Sequence, residues 1–353
     1  MLTKEDEVGE KRVGFGIFGA AHHHSLSFAA AVLRHPRAKL LGVYDQDERT
    51  GRAFAKKFGI PLFDDEGALL ACEGLDAGIV TSENALKKDL SITLAKSRKH
   101  VLCDKPLGID RTQSREIIQA CRASRVKLSV GYLSRYAPEA MEAKRKIEAG
   151  RVGDVKLIIG ENRVDAGSVM LLSPWLAESR ATGGRGALLE HAVHVADLAQ
   201  WYTSSTPKKV YAATTKKLDE RFEVEDNFCL LVEYESGACA TLDGSYCRPT
   251  SGRVDDLTMR ILGERGEIRL FIQKKALMLK LGEEAGVTHG LIESDLGDRY
   301  RGVAAWNMID DFINCIRGGD EPLTSGDEAA KVNALVEAGY KSLESRTEVR
   351  VIN

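Results

Sequence analysis

Short, mostly apolar runs recur through the first third of the chain, at Val13–Phe18, Lys39–Tyr44, Ala77–Thr81, His100–Cys103 and Lys127–Val130. Runs this short, without polar alternation, read as parallel strands buried on both faces. Helix-like stretches separate them, at Ser25–Arg34, Glu48–Phe58, Leu86–Lys99 and Thr112–Ser124. This alternation predicts a doubly wound parallel sheet, a Rossmann-type α/β domain. The pattern changes after residue 131. One helix is predicted over Ala137–Ala149, a strand over Val155–Val164 and a further helix from near Ala187. Strand signals then dominate, at Lys209–Thr215, Asn227–Tyr234, Ala238–Tyr246, Leu257–Leu262, Glu267–Ile272 and Ala276–Leu281. Hairpin-like links fall at Glu235–Gly237 and Gly263–Gly266. Closing helices are expected over Trp306–Arg317 and Asp327–Ser345. The expected organisation is a Rossmann domain over 1–131, followed over 132–353 by an α/β domain with an open, mostly antiparallel sheet.

Composition changes this picture little. With 353 residues, 50 Lys+Arg against 52 Asp+Glu, and 43% hydrophobic residues, the chain is an ordinary globular one. A nucleic-acid partner is not expected, because no basic excess is present. Nor is a membrane, because no apolar run approaches the roughly 18 residues of a spanning helix. The first residues are charged and lack the apolar core of a signal peptide, so a cytoplasmic location is expected. Seven cysteines without a CxxC pair suit structural thiols in a reducing compartment. Cys103 is weighed as a reactive thiol and set aside for its apolar surroundings.

Candidate chemistry begins where the first strand ends. Gly16 and Gly19 permit a tight turn before a helix whose free N–H groups and dipole suit a pyrophosphate. Asp45 ends the second strand, where a carboxylate hydrogen-bonds ribose hydroxyls and repels a 2′-phosphate, so NAD is expected over NADP. His22, His23 and His24 compete as metal ligands, phosphate-side loop residues or solvated residues. Adjacent residues are not expected to face one ion, and no metal site is assigned. Lys105, in Asp104-Lys105-Pro106, follows the fourth strand, at a carboxyl edge open to ligands. Downstream, Glu190, His194 and Asp197 fall at i, i+4 and i+7 of an otherwise apolar helix and are expected to share one face. A carboxylate one turn from a histidine suits acid/base chemistry.

These residues, in this order, resemble the Gfo/Idh/MocA oxidoreductases, named for glucose–fructose oxidoreductase, inositol dehydrogenase and a rhizopine-catabolism protein. The resemblance extends through Gly131-Tyr132, Arg135-Tyr136 and Pro138 to Thr324–Ala329 and Ser342 near the C-terminus. It implies hydride transfer between NAD(P) and a secondary alcohol or ketone of a sugar, polyol or derivative. It also implies dimers or tetramers built through the second sheet. Lys105 and His194 then match catalytic positions, and Glu190 stands where Asp is usual. The implied dinucleotide contacts are Gly16, Phe18, Gly19, Ala20, Ala21, His22, Asp45, Gln46, Thr81, Ser82, Glu83, Asn84, Asp104, Lys105 and Pro106. Arg135, Asn162, Trp175 and His191 are candidate substrate contacts. Ala21, His24, Asp104, Thr81–Asn84 and Glu190 depart from the usual pattern, which marks a divergent branch. The alternatives are a glycoside-cleaving enzyme that uses NAD as an internal relay, and a non-catalytic dinucleotide-binding regulator.

Overall fold

The structure, a computed structural model, describes residues 11–215, 217–247, 256–272, 276–281, 288–291 and 300–352. The charged stretch at 1–10 lies outside them.

The first sheet holds β1 (Val13–Phe18), β2 (Ala38–Tyr44), β3 (Ala77–Val80), β4 (His100–Cys103) and β5 (Leu128–Val130) in the order β2-β1-β3-β4-β5. All pairings in it are parallel. Every residue of β1 and β3 is buried, which is why neither shows polar alternation. An isolated parallel bridge from Val43 to Leu62 adds a vestigial strand beyond β2, so the order approaches that of a six-stranded dinucleotide fold. Helices α1 (His24–Arg34), α2 (Glu48–Phe58), α3 (Glu66–Leu70), α4 (Asn84–Lys96) and α5 (Arg111–Ser124) connect the strands. Several are capped as their sequences require: Asp47, Asp65 and Asp110 each accept backbone N–H bonds at an N-terminus.

The chain continues through α6 (Pro138–Glu148), β6 (Val155–Arg163), α7 (Ala166–Leu172), α8 (Ser179–Thr182), α9 (Ala187–Glu190) and α10 (Ala192–Thr203). Seven further strands follow: β7 (Pro207–Ala213), β8 (Asn227–Tyr234), β9 (Cys239–Ser245), β10 (Asp256–Gly263), β11 (Gly266–Phe271), β12 (Ala276–Leu281) and β13 (Thr288–Leu291). Then come α11 (Tyr300–Ile316), α12 (Gly326–Ser345) and β14 (Val349–Arg350). The second sheet runs β13-β12-β11-β10-β6-β9-β8-β7-β14, antiparallel except for the β6–β9 pair. Its strands alternate because one face alone is covered. In β8, Leu230 and Val232 are buried while Cys229 and Leu231 face outward.

The packing departs from a simple division at residue 131. Helix α11 lies against α1, and its Ala304, Met308, Ile309 and Phe312 join Phe15, Phe28 and Val32 in one core. The Phe15 and Phe312 rings are 6.4 Å apart. A segment nearly 300 residues downstream of β1 thus completes the first sheet's cover. No helix among the described residues is long and apolar enough to cross a membrane.

Candidate active site

The strand order reverses between β1 and β3, and ligands of open α/β sheets lie in the crevice beside such a point, at the carboxyl strand ends. The sequence places its polar signals at those ends: Gly19 after β1, Asp45 after β2, Thr81 and Ser82 after β3, Asp104 and Lys105 after β4.

Gly19 has φ +80°, and a Cβ there would lie 2.5 Å from the Ser82 Cβ, so only glycine lets these two loops meet. Ala20 N–H donates to Asp45 Oδ2 at 2.6 Å and Asp47 N–H to its Oδ1 at 2.8 Å. Burial pushes the Asp45 carboxyl up, against these two hydrogen bonds. Helix α1 starts with no acidic residue in its first turn and no side-chain cap from His23. A glycine turn, an open helix N-terminus and a strand-end carboxylate fit a dinucleotide. Gln46 is exposed beside Asp45. A segment from beyond residue 131 lies on this turn: His23 N–H donates to Ser173 Oγ at 3.2 Å, and Trp175 Nε1 donates to the Ala21 carbonyl at 3.1 Å.

Lys105 follows β4 and precedes a cis peptide bond to Pro106. It is 2% exposed. Its Nζ donates to Glu190 Oε2 and, at 3.2 Å, to the Glu190 carbonyl. Asn84 Nδ2 donates to the other oxygen of the same carboxylate, and Asn84 Oδ1 accepts from Lys87 Nζ at 2.9 Å. Lys87 Nζ also donates to the Lys105 carbonyl. Two buried ammonium groups therefore bracket Glu190. Burial alone would raise the Glu190 carboxyl, but the charges of Lys105 and Lys87 and the Lys105 and Asn84 hydrogen bonds outweigh it and hold it low. Burial pushes the Lys87 ammonium down, against the attraction of Asp104 and Glu190.

Lys105 lines a crevice with His22, His23, His24, His191, His194, Asn162, Ser168 and Ser173, closed by Val164, Val169, Leu172, Leu176 and Leu257. The His191 and His194 rings are 6.3 Å apart, and His194 is 6.3 Å from His24. Asn162 on β6 holds the His191 carbonyl with its Nδ2 at 3.1 Å. Tyr246 meets the His191 ring edge-on at 4.8 Å.

Several expectations need correction. The helix from Ala187 is broken: α9 ends at Glu190, His191 caps α10, and the Glu190–His194–Asp197 stripe does not exist as one face. Glu190 turns to Lys105 and Asn84. Asp197 turns to Arg135, whose Nε is 2.8 Å from Oδ2. Arg135 is 2% exposed, is held also by the Leu323 carbonyl, and is not among the crevice-lining residues. Trp175 likewise serves the glycine turn rather than the crevice wall. Asn84 is fully buried, with its amide engaged by Glu190 and Lys87 in the lysine–glutamate network. Cys103, by contrast, is buried in β4 as expected, and burial pushes its thiol up to about 11, in line with setting it aside as a reactive group. Lys87 carries no motif in the sequence. A lysine inside an otherwise amphipathic helix looks solvated, and only its packing under Lys105 reveals it.

The two halves of the chain match family models. Residues 13–132 match the oxidoreductase family with an NAD-binding Rossmann fold, and residues 140–269 match the GFO/IDH/MocA C-terminal domain. The chain belongs to the Gfo/Idh/MocA oxidoreductase family. It is 24% identical to an inositol 2-dehydrogenase of Rhizobium meliloti over 342 residues, 96% of this chain and 99% of that one. It is 24% identical to a myo-inositol 2-dehydrogenase of Thermotoga maritima, over 96% of this chain and 97% of that one. Among solved structures, a levoglucosan dehydrogenase bound to NADH and L-sorbose superposes with a TM-score of 0.85 at 20% identity, covering 98% of this chain and all of that one. Low identity with full-length coverage agrees with a divergent member of the family that keeps its whole architecture.

Proposed function

We propose that this family member is an NAD-dependent dehydrogenase acting on a secondary alcohol, or the matching ketone, of a sugar, polyol or derivative. The observation that carries the reading is the convergence of Lys105, from the end of β4, and His194, from α10, on one crevice beside the glycine turn. Inositol and levoglucosan dehydrogenases among the relatives support the substrate class.

A nicotinamide dinucleotide, held at Gly19, Ala20, Asp45 and the neighbouring loop ends, supplies the hydride acceptor when bound. The protein's own work is done by three groups. Lys105 donates a hydrogen bond to the reacting oxygen and stabilises negative charge as it grows there. His194 accepts the hydroxyl proton. Glu190 positions Lys105: its carboxylate is paired with the ammonium and anchored by Asn84, so the donor is oriented before substrate arrives. This replaces the expectation that Glu190 orients the histidine. Asn162 and His191 form the neighbouring wall and contact the substrate's other hydroxyls. The outer face of the second sheet is the proposed surface for a homodimer or homotetramer.

A screen of sugars and polyols with NAD, read as NADH absorbance, tests the reading. Turnover on at least one polyhydroxy substrate is expected. NADH-free conversion of a glycoside would move the chain to the relay class. Absence of any turnover with tight NAD binding would make it a regulator.

A further inference from the structure

The catalytic reading uses Lys105, Glu190 and His194 and leaves three adjacent imidazoles unexplained. His22 and His23 lead into α1, which His24 begins, with His23 already in helical conformation (φ −61°, ψ −17°). Successive side chains of a regular helix fan apart. Here they do not: one ring nitrogen from each lies within 4.8 Å of those from the other two. The His22 ring is 4.4 Å from that of His23 and 4.3 Å from that of His24. At this turn the three rings gather, where a regular helix would part them.

Their outward contacts suit ligands. His24 Nδ1 is 3.0 Å from Asp104 Oδ1, His22 Nδ1 is 3.1 Å from Asp104 Oδ2, and His23 Nδ1 is 3.0 Å from Ser173 Oγ. A carboxylate behind an imidazole fixes its tautomer and raises its basicity, as in carboxylate–histidine–metal triads. His22 is 1% exposed, and its Nε2 has no hydrogen-bond partner among the described residues. A buried polar nitrogen without a partner is costly and calls for a ligand. Binding through His22 Nε2 requires Nδ1 to carry the proton and give it to Asp104, at the expense of the 3.2 Å contact from His24 N–H. Gly131 makes room for Asp104, since a Cβ there would lie 2.4 Å from Oδ1.

We propose that His22, His23 and His24 form a binding site for one first-row divalent metal ion of the zinc, cobalt or nickel type. Imidazole donors favour such ions over magnesium or calcium. At about 2.0–2.1 Å per bond, tetrahedral geometry needs nitrogens about 3.4 Å apart. The cluster therefore contracts on binding, chiefly through rotation of the less buried His23. The three rings line the same crevice as Lys105 and His194, so the ion's remaining positions open toward the proposed substrate space.

The test uses untagged protein, stripped by chelator, and titrated with Co²⁺ alone, with calorimetry and visible d–d absorption as readouts. One ion per chain with tetrahedral-type absorption is expected. His23→Ala should weaken binding by more than about tenfold, and Asp104→Asn by about 10–100-fold through loss of imidazole positioning. Circular dichroism confirms that each variant is folded, and His24→Gln provides a second ligand change should either fail. No saturable Co²⁺ binding by the wild-type protein overturns the proposal. So does binding that His23→Ala and His24→Gln both leave unchanged. Neither substrate nor dinucleotide is present, so this outcome is independent of the dehydrogenase reading, which NAD titration and the sugar screen decide.

Discussion

Glu190→Gln keeps the size of a buried side chain and removes its charge. In the wild type the carboxylate lies against Lys105, 2% exposed, and near Lys87, fully buried. Without it, Lys87 keeps the attraction of Asp104 but loses that of Glu190. Removing one partner of a buried pair costs about 3–5 kcal/mol. At about 2–4 °C per kcal/mol for a unit of 150–250 residues, that lowers Tm by on the order of 10 °C. A lysine can relieve part of the strain by losing its proton. Burial already pushes the Lys87 ammonium down, and losing the Glu190 charge that attracts it pushes it further down. By linkage, a lysine whose folded pKa lies below its unfolded value destabilises fully at lower pH, and stability returns as pH rises from neutrality toward the unfolded value of about 10.4. Thermal unfolding of wild type and Glu190→Gln across that range is the assay. The gap in Tm should be widest near neutrality and narrow toward high pH. Lys105→Met combined with Glu190→Gln should be less destabilised than the sum of the single changes, because one of the two uncompensated charges is gone. A Glu190→Gln Tm within about 2 °C of wild type at neutral pH, with a parallel pH profile, would refute the charge-bracket argument.

Lys105→Ala should lower kcat by about 10²–10³ and His194→Ala by about 10²–10⁴, with the double variant losing less than the product of the two. Near-normal turnover in both removes the mechanism and leaves the fold. Asp45→Ala should weaken NAD binding and relax the preference against NADP, through lost ribose contacts and a looser Ala20 turn; tighter NADP than NAD binding by the unmodified protein contradicts this. His22, whose folded pKa lies well below 6.5, contributes stability that is full above about 6.5 and is lost as pH falls below it. The slope is at most about 1.4 kcal/mol per pH unit. Urea unfolding from about pH 7 to about pH 5 should show it, and His22→Gln should flatten it; equal slopes would contradict the assignment.

The sequence by itself determined the two sheets, the order of their strands along the chain and the family. Those properties rest on local signals: fully apolar runs for β1 and β3, glycine-bearing hairpin links in the second half, Asp caps on α2 and α5. The placing of Gly19, Asp45 and Lys105 was also legible, because a strand's carboxyl end is a position that sequence order specifies. Tertiary structure decided who pairs with whom. Glu190 and His194 are four residues apart, yet a break at His191 sends the Glu190 carboxylate to Lys105, 85 residues away. Asp197 goes to Arg135, which takes both out of the crevice. Lys87 gained its role only by lying beneath Lys105, and α11 found its place only by meeting α1. Periodicity records which residues are buried. It does not record the direction of a side chain across a helix break, and a buried charge goes wherever a counter-charge stands, however distant along the chain.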